Sequence, residues 1–291
     1  MTSTRYGAIK HDVGIFSKME MHLTAVLKLL EQKPDCVEAR NKVEEMMTLV
    51  TSLTPYQIDR STSLSPQLDR IMTETSTLDL NTLLKEGKLV TKVDNTDLNM
   101  ISFPGQVQLL QFFVRIINAK NILEVGTFTG YGAFGMAEVM APGGKVTGIE
   151  IEPVFCDLVR KRAREYNLNV EVIQGKAIDV LKSLAKEGQQ FDMIYVDCIK
   201  TEYLEYYQII MDNNMLSPNG LIVCDNVMWS GKAITRSDSA GSALDDFTKT
   251  VVQDKRVVSE KNRMDQLEEM NEVMTAYAAL LRWDSVDPAQ S

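Results

Sequence analysis

The sequence predicts an α/β protein built on a doubly wound, mostly parallel sheet with helices on both faces. From about residue 81, short apolar segments alternate with helical segments of about 10 to 15 residues, which is typical of parallel βαβ units. One apolar segment, residues 121–126, leads through glycines directly into a helical pattern, as the first strand of a nucleotide-binding sheet does. Together, these two patterns indicate a Rossmann-like fold.

The apolar segments of this region are predicted as strands because each one lies between turn residues. They are NILEVG at 121–126, GKVTGIEIE at 144–152, NVEVIQG at 169–175, FDMIYVD at 191–197 and GLIVCDN at 220–226. The segments between them have helical spacing, and Pro153 fits the first turn of one such helix. Residues 242–254 and 264–283 are predicted as further helices, with a short strand at Val257 and Val258.

A helical extension is predicted ahead of the sheet. Apolar residues recur at helical spacing in residues 12–32 and again in residues 35–53, and such stripes more often pack than bind ligands. Residues 54–80 are rich in Ser, Thr and Pro and are predicted as a looser connection. We therefore divide the chain into an N-terminal extension at 1–80, serving dimerisation or as a lid, and one domain at 81–291.

Composition argues against several classes of function. The formal net charge of −9, with no basic cluster beyond RKRAR at 160–164, disfavours a nucleic-acid partner. No segment approaches the ~18 consecutive apolar residues of a membrane helix, and the N-terminus has no secretory signal. The four cysteines lack CxxC spacing, so we expect reduced thiols in a cytoplasmic protein rather than a zinc site or a disulfide framework.

The glycine-rich stretch LEVGTFTGYG indicates a site for a charged nucleoside. Gly126, Gly130 and Gly132 follow the first strand with GxxxGxG spacing, which differs from the GxGxxG of dinucleotide binders. Glu124 just before the loop would repel phosphate and suit an ammonium group. Glu150 ends the second strand, where an acid commonly accepts hydrogen bonds from ribose hydroxyls. S-adenosylmethionine fits both acids; the alternative is a structural βα turn with a solvated Glu150.

The stretch LIVCDNVMW at 221–229 raises a second question, because an apolar strand ends on Asp225 and Asn226. These residue types start turns by bonding their own backbone. Ligands of open α/β sheets also lie at the carboxyl ends of strands, where Asp197 ends the preceding strand. Taken alone, the two residues favour a turn over a ligand site.

Residues 99–231 resemble the cation-dependent O-methyltransferases of the catechol and caffeoyl-CoA type. The resemblance is carried by the ordered motifs NILEVGTFTGY, GIEIEP, FDMIYVDCIKTEYLEYY and GLIVCDNVMWSG. It implies a methyltransferase domain that binds S-adenosylmethionine, with Ala177 near the adenine and Ser102 near the methionyl end. The expected cofactor residues are Ser102, Glu124, Gly126, Thr127, Tyr131, Gly132, Glu150, Ala177 and Asp197.

The resemblance also implies a divalent cation, usually magnesium, with Asp197, Asp225 and Asn226 as ligands. Three hard oxygen donors at neighbouring strand ends suit such a cation. Asp197 is therefore expected in catalysis as well, together with Lys200, which occupies the family's position for the general base. That role requires a neutral lysine, which a nearby cation and partial burial would favour. The alternative for Lys200 is a solvated surface residue.

Several departures from the family pattern limit what the resemblance implies. Gly132 stands where Ser is frequent, and Ile199 stands where the caffeoyl-CoA branch has a second Asp. The usual EGQ appears as QVQ at 106–108, and the Gly-Asp-Gly turn near the C-terminus is absent. Trp229 and Tyr203 are candidates to line an acceptor pocket, although core packing explains them equally well. The acceptor itself is not predicted.

Three functions follow as hypotheses. The leading one is a homodimeric, cation-assisted O-methyltransferase acting on a hydroxyl of a small catechol-like or phenolic molecule. A second keeps the cofactor without the metal and makes methyl esters of a small acid, since a carboxylate acceptor needs no base. A third is a non-catalytic partner protein that binds S-adenosylmethionine. Asp197, Lys200, Asp225 and Asn226 together argue against the third, because a non-catalytic protein has no need of that set.

Overall fold

The computed structural model describes residues 15–60, 64–93, 98 and 100–257. The helices are α1 (Ile15–Glu31), α2 (Val37–Arg60), α3 (Pro66–Ser76), α4 (Leu80–Lys85), α5 (Pro104–Ile116), α6 (Tyr131–Ala137), α7 (Pro153–Tyr166), α8 (Ala177–Lys186), α9 (Tyr203–Asp212), α10 (Lys232–Thr235) and α11 (Ser239–Gln253). The strands are β1 (Asn121–Val125), β2 (Lys145–Glu150), β3 (Val170–Gln174), β4 (Phe191–Val196) and β5 (Leu216–Cys224). Short 3-10 turns cover Lys200–Glu202 and Trp229–Gly231.

The strands form a parallel sheet in the order β3-β2-β1-β4-β5. This order confirms the predicted doubly wound α/β class, and each predicted strand from 121 to 226 is present. The chain leaves β1 first toward β2 and β3 and later returns to β4 and β5, so the order reverses between β1 and β4. Ligands of such sheets bind at the carboxyl ends of the strands beside this reversal.

Alternating side chains of the strands face different helices, since successive residues of a strand point to opposite faces. Ile122, Val146 and Met193 pack in one core with residues of α3, α5, α6 and α7. Leu123 and Ile194, which follow Ile122 and Met193 along their strands, are as deeply buried as those two residues. Helix α8 contacts both α9 and β2. The sheet is therefore covered on both faces, which is what parallel sheets require.

The prediction of a loose connection over residues 54–80 was wrong. Helix α2 continues to Arg60, and α3 begins at Pro66 with Ser65 as its N-cap, whose side chain accepts a hydrogen bond from the backbone N–H of Leu68. Ser and Pro at these positions start a helix rather than interrupt one. Leu68 and Ile71 of α3 are fully buried in the main core.

The chain divides into two compact units, Met1–Asp245 and Asp246–Ser291, and the sheet lies in the first. The boundary near residue 80 stays a prediction. The helix expected at 264–283 lies outside the described residues, as does Val258, and Val257 lies in a bend rather than a strand. Over the described ranges, we find no helix long and apolar enough to cross a membrane.

Candidate active site

The carboxyl ends of β1, β4 and β5 bring Gly126, Asp197 and Asp225 to one edge of the sheet. The backbone N–H of Asp197 donates to the carbonyl of Val125 at 2.9 Å, and that of Asp225 donates to Val196 at 2.9 Å. A Cβ atom on Gly126 would lie 2.1 Å from the carbonyl oxygen of Asp197, so only glycine fits there. The parallel register thus places Asp197 beside the glycine-rich loop and Asp225 at the next strand end.

The loop itself is held on both sides. Gly126 and Thr127 both donate their backbone N–H to the carbonyl of Ile149 at 3.0 Å, and Gly126 and Gly130 have φ values of +93° and +92°. Glycine adopts such left-handed conformations without steric cost. Behind the loop, the buried hydroxyl of Thr129 pairs with that of Thr75 from α3 at 2.8 Å.

Glu124 is buried beneath this loop, with only 2% of its surface exposed. Burial raises the pKa of its carboxyl well above the usual range, and the charges of Asp197 and Glu150 act in the same direction, while a hydrogen bond with Thr127 opposes them. Among the residues that the structure describes, its Oε2 atom has no hydrogen-bond partner. A buried acceptor without a donor is costly, so Glu124 is suited to receive an ammonium group from a ligand.

Gly132 allows Glu124 to occupy this position. A Cβ atom at residue 132 would lie 2.3 Å from Oε1 of Glu124. The serine that is frequent here in the resembled family would therefore collide with the carboxylate. Gly132 acts on the site by leaving room for Glu124 rather than by presenting a side chain.

Glu150 lies at the end of β2 on the other side of the loop. Its carboxylate accepts hydrogen bonds from the backbone N–H groups of Phe128 at 2.7 Å and of Glu152 at 2.8 Å. Burial raises its pKa to about 7, although these hydrogen bonds oppose the shift. A carboxylate has about four lone-pair positions, so these two donors and the backbone N–H of Ile151 still leave capacity for a ribose hydroxyl.

The remaining cofactor candidates lie around these two acids. Gly175 donates its N–H to the carbonyl of Glu150 at 2.9 Å, which brings the half-buried Ala177 at the start of α8 toward this strand end. Tyr131 is buried at the first position of α6. Ser102 hydrogen-bonds through its side chain to Tyr195, close to the aspartates.

Lys200 is part of the site and is not a solvated surface residue. Its Nζ atom lies 2.7 Å from Oδ1 of Asp197 and 2.7 Å from the hydroxyl of Tyr203, and only 9% of its side chain is exposed. The Tyr203 hydroxyl also lies 3.1 Å from the carbonyls of Val196 and Asp225. Because a hydroxyl has one proton, it donates to one of these carbonyls and accepts from Lys200.

The position of Tyr203 differs from that of an acceptor-pocket wall. The residue is 1% exposed, and its ring lies beneath Lys200. Trp229 is half-buried after β5, and Nζ of Lys232 lies 4.2 Å from the centre of its ring. Helix α1 also contacts the turn at 229–231. The acceptor roles of Tyr203 and Trp229 stay predictions, and Tyr203 has a clearer function in holding Lys200.

Asp225 and Asn226 combine a turn with candidate ligand positions. The Asn226 carbonyl accepts from the N–H of Trp229 at 2.9 Å, and Asn226 has a φ of +53°, so the expected turn is present. Burial, and after it the charge of Asp197, raise the pKa of Asp225 to about 6, although the charge of Lys200 acts in the opposite direction. Two carboxylates that repel each other suit a divalent cation, which would relieve the repulsion.

The residues expected to bind the cation supply two carboxylates and one amide. Over the part of the chain that the structure describes, no group of three or more His, Cys, Asp or Glu side chains could hold a metal ion. Asp197, Asp225 and Asn226 fit a cation that keeps several waters, as magnesium does, better than one enclosed by protein ligands. The three residues therefore fit the implied cation as ligands of a site that stays open to water.

Sequence reasoning missed three residues that support the site. Tyr195 looked like one more apolar residue in the buried strand FDMIYV, and Gln106 appeared only as a departure from EGQ. Arg162 looked like part of a solvated basic run, but it is 2% exposed and donates to the carbonyl of Thr129. For Arg162, the helical period of α7 was the available signal, since the buried Val159 lies three residues before it.

Comparison with known proteins agrees with this geometry. The sequence model of the family described as O-methyltransferase matches residues 73–264. The chain belongs to the O-methyltransferase family. Two relatives represent the two expected types: a catechol O-methyltransferase of Niastella koreensis is 36% identical over 139 residues, covering 47% of this chain and 62% of that protein. Caffeoyl-CoA O-methyltransferase 2 of Petunia hybrida is 30% identical over 147 residues, covering 48% and 59%.

A solved structure extends the likeness of this family member from sequence to fold. The SAH-bound methyltransferase PaMTH1 of Podospora anserina superposes with a TM-score of 0.61 at 26% identity, covering 72% of this chain and 89% of that one. The chain thus matches less than two thirds of the length of the two sequence relatives, but most of the solved neighbour.

Proposed function

We propose that this protein transfers a methyl group from S-adenosylmethionine to a hydroxyl oxygen of a small catechol-like or phenolic molecule, assisted by a divalent cation. The observation that carries the proposal is the convergence of Asp197, Lys200 and Asp225 at the strand ends beside the glycine loop. S-adenosylmethionine supplies an electrophilic methyl group on a positively charged sulfur, and a divalent cation supplies positive charge for the acceptor oxygen. Family membership supports the same chemistry.

The cofactor's two polar ends match the two buried acids. Glu124 offers the methionyl ammonium a carboxylate oxygen that has no partner among the described residues, and Glu150 offers its remaining lone pairs to the ribose hydroxyls. Burial raises the pKa of both carboxyls, so a ligand that donates hydrogen bonds to them would stabilise their ionised forms. Holding both ends of the cofactor fixes the position of the methyl group, which converts a bimolecular displacement into an effectively intramolecular one.

Asp197, Asp225 and Asn226 would hold the cation, and Lys200 would receive the acceptor's proton at Nζ. In the described structure, Nζ of Lys200 lies 2.7 Å from Oδ1 of Asp197, so the two side chains form an ion pair. An ammonium has no lone pair, so Lys200 must lose a proton before it accepts one.

The decisive experiment measures turnover with labelled S-adenosylmethionine and a panel of catechols, phenols and carboxylic acids, with EDTA and with added Mg²⁺. We expect methylation of a hydroxyl that EDTA abolishes and Mg²⁺ restores. Asp225→Ala should abolish this turnover and leave binding of S-adenosylhomocysteine within about threefold, because Asp225 lies outside the cofactor acids. Full activity in EDTA, or in the Asp225 variant, would contradict the role of the cation.

A metal-independent carboxylate methyltransferase is the second candidate, and the Lys200–Asp197 ion pair favours it. Lys200 already pairs with Asp197 at 2.7 Å, so this aspartate has a positive partner without a metal ion, and a carboxylate acceptor needs no base. The same panel separates the two functions: methyl esters formed in EDTA would support the second. A chain that binds the cofactor with no turnover on any acceptor would instead match the non-catalytic alternative.

A homodimer and a cytoplasmic location complete the proposal. Helices α1 and α2 contact each other and expose apolar side chains, namely Met19, Met21, Val26, Leu29, Met46 and Leu49. Such a surface on a two-helix hairpin suits association with a second copy. All four cysteines are free thiols, as expected in a reducing compartment. Light scattering on the purified chain tests the dimer, and fractionation of cells tests the location.

A further inference from the structure

We propose that Gln106 is a positioning residue that bridges the two aspartates of the site from helix α5. Its Nε2 atom donates to the hydroxyl of Tyr195 at 2.7 Å, and its side chain also hydrogen-bonds to the Asp225 carboxylate. The Tyr195 hydroxyl lies 3.5 Å from Oδ2 of Asp197. One amide therefore connects the carboxylates at the ends of β4 and β5. This inference rests on the proposed function of those carboxylates.

The oxygen atom of the Gln106 amide sets the orientation of the whole group. Oε1 of Gln106 accepts from the backbone N–H of Phe103 at 3.3 Å, while the backbone N–H of Gln106 donates to the Phe103 carbonyl at 2.9 Å. These two bonds close the first turn of α5 in the manner of a capping box. Because the oxygen faces an N–H group, the amide must present its two N–H donors to Tyr195 and Asp225.

An amide is the appropriate group at this position in this chain. Asp197 and Asp225 already repel each other, and the charge of Asp197 acts on Asp225 directly. A glutamate at residue 106 would bring a third carboxylate against them and would lose both N–H donors. Gln106 instead donates to the pair without adding charge. Tyr195 is 1% exposed, so the centre of the bridge is shielded from water, while Gln106 and both aspartates are half-buried.

The bridge also ties the cation side of the site to the cofactor side. Ser102 hydrogen-bonds to the same Tyr195, and Tyr195 lies on β4 two residues before Asp197. A Cβ on Gly132 would lie 3.6 Å from Cε1 of Tyr195. Gln106 and Tyr195 therefore stand between the expected methionyl end of the cofactor and the aspartates. Partners that orient metal-ligating carboxylates typically change metal affinity by about 10- to 100-fold when removed.

The experiment compares wild type with Gln106→Glu and Gln106→Ala by thermal unfolding in EDTA and in Mn²⁺, and by calorimetric titration with Mn²⁺ and S-adenosylhomocysteine. We expect Gln106→Glu to unfold at least about 4 °C below wild type in EDTA, because of carboxylate repulsion, and to gain more than wild type from Mn²⁺. Gln106→Ala should bind Mn²⁺ about tenfold more weakly, with S-adenosylhomocysteine affinity changed by less than about threefold.

The matched control is Gln111→Glu on the same helix. Gln111 donates from Nε2 to the carbonyl of Gly135 at 3.0 Å. The control therefore adds the same negative charge and also removes a hydrogen bond, but it does so away from the aspartates. Any loss of stability in the control should not respond to Mn²⁺. A response equal to that of Gln106→Glu would overturn the bridge.

The outcomes separate this inference from the proposed function. If Gln106→Glu unfolds like wild type in EDTA, Gln106 does not face Asp225 and the bridge is wrong. If that variant is destabilised in EDTA while Mn²⁺ stabilises no protein in the series, the bridge stands and the proposed cation is wrong. Should Gln106→Glu not fold, Gln106→Ala decides, because unchanged Mn²⁺ binding in this neutral variant would exclude a positioning role.

Discussion

Nζ of Lys200 lies 2.7 Å from Oδ1 of Asp197, and the hydroxyl of Tyr203 approaches the same nitrogen to 2.7 Å. The lysine is thus held at a fixed position at the ends of β4 and β5 instead of extending into solvent. A base must lie within hydrogen-bond reach of the proton that it removes. A fixed lysine nitrogen beside two carboxylates provides that geometry for an acceptor bound at the same edge of the sheet.

Replacing Lys200 with Met should remove the proposed base while leaving the proposed cation ligands in place. We expect kcat to fall by about 100-fold or more, which is the usual contribution of a general base. Binding of Mn²⁺ should be unchanged or tighter, because Asp197 loses its competing ion pair. Turnover measured beside Mn²⁺ titration checks this, and a variant that keeps kcat within about threefold of wild type would exclude Lys200 as the base.

Gly132 offers a test of the buried position of Glu124. In Gly132→Ser, the new Cβ would begin 2.3 Å from Oε1 of Glu124, so the carboxylate must move. We expect S-adenosylhomocysteine to bind about tenfold more weakly, even though serine is frequent here in the resembled family. Calorimetric titration measures the affinity.

Gly105→Ala is the control for this substitution. Gly105 is also helical, and a Cβ there would lie 3.2 Å from Cε1 of Phe103, the end of a movable side chain. Its affinity for S-adenosylhomocysteine should equal that of wild type. Tighter binding in Gly132→Ser would show that serine supplies a contact and that Glu124 has another position available.

The sequence predicted the sheet and the strand-end residues because both depend on local patterns. Asp197 and Asp225 end apolar strands, and parallel pairing brings the ends of neighbouring strands together. The partners of these residues were not predictable in the same way. Whether Gln106 faces Asp225 depends on how α5 packs on the sheet, and whether Tyr203 holds Lys200 depends on the turn at 200–202.

The pH dependence of stability should report the buried Glu150. Its pKa is raised from 4.5 to about 7 in the folded protein, so the folded state binds more protons than the unfolded state between these values. This contribution to stability is present at low pH and is lost as pH rises from about 4.5 to about 7. Without ligand, Glu150→Gln should remove up to about 3 kcal/mol of that pH dependence.

The measurement is urea unfolding of both proteins from pH 4.5 to 8. The difference between wild type and Glu150→Gln reports Glu150 together with its effect on the buried Glu124, whose pKa the charge of Glu150 helps to raise and which changes stability in the same direction. A constant difference across the range would mean that Glu150 titrates alike in the folded and unfolded chains.

Arg162 connects helix α3 to the glycine loop and should contribute strongly to stability. It is 2% exposed, donates to the carbonyl of Thr129, and donates from NH2 to Oε2 of Glu74 at 2.8 Å. Arg162→Met keeps much of the volume but leaves the Thr129 carbonyl without this donor, and we expect a loss of about 3 kcal/mol in the free energy of unfolding. Glu74→Gln should cost less, because Glu74 is 39% exposed at its side chain and water can replace its partner. Equal losses in the two variants would mean that the bond to Thr129 contributes little and that the ion pair carries the effect.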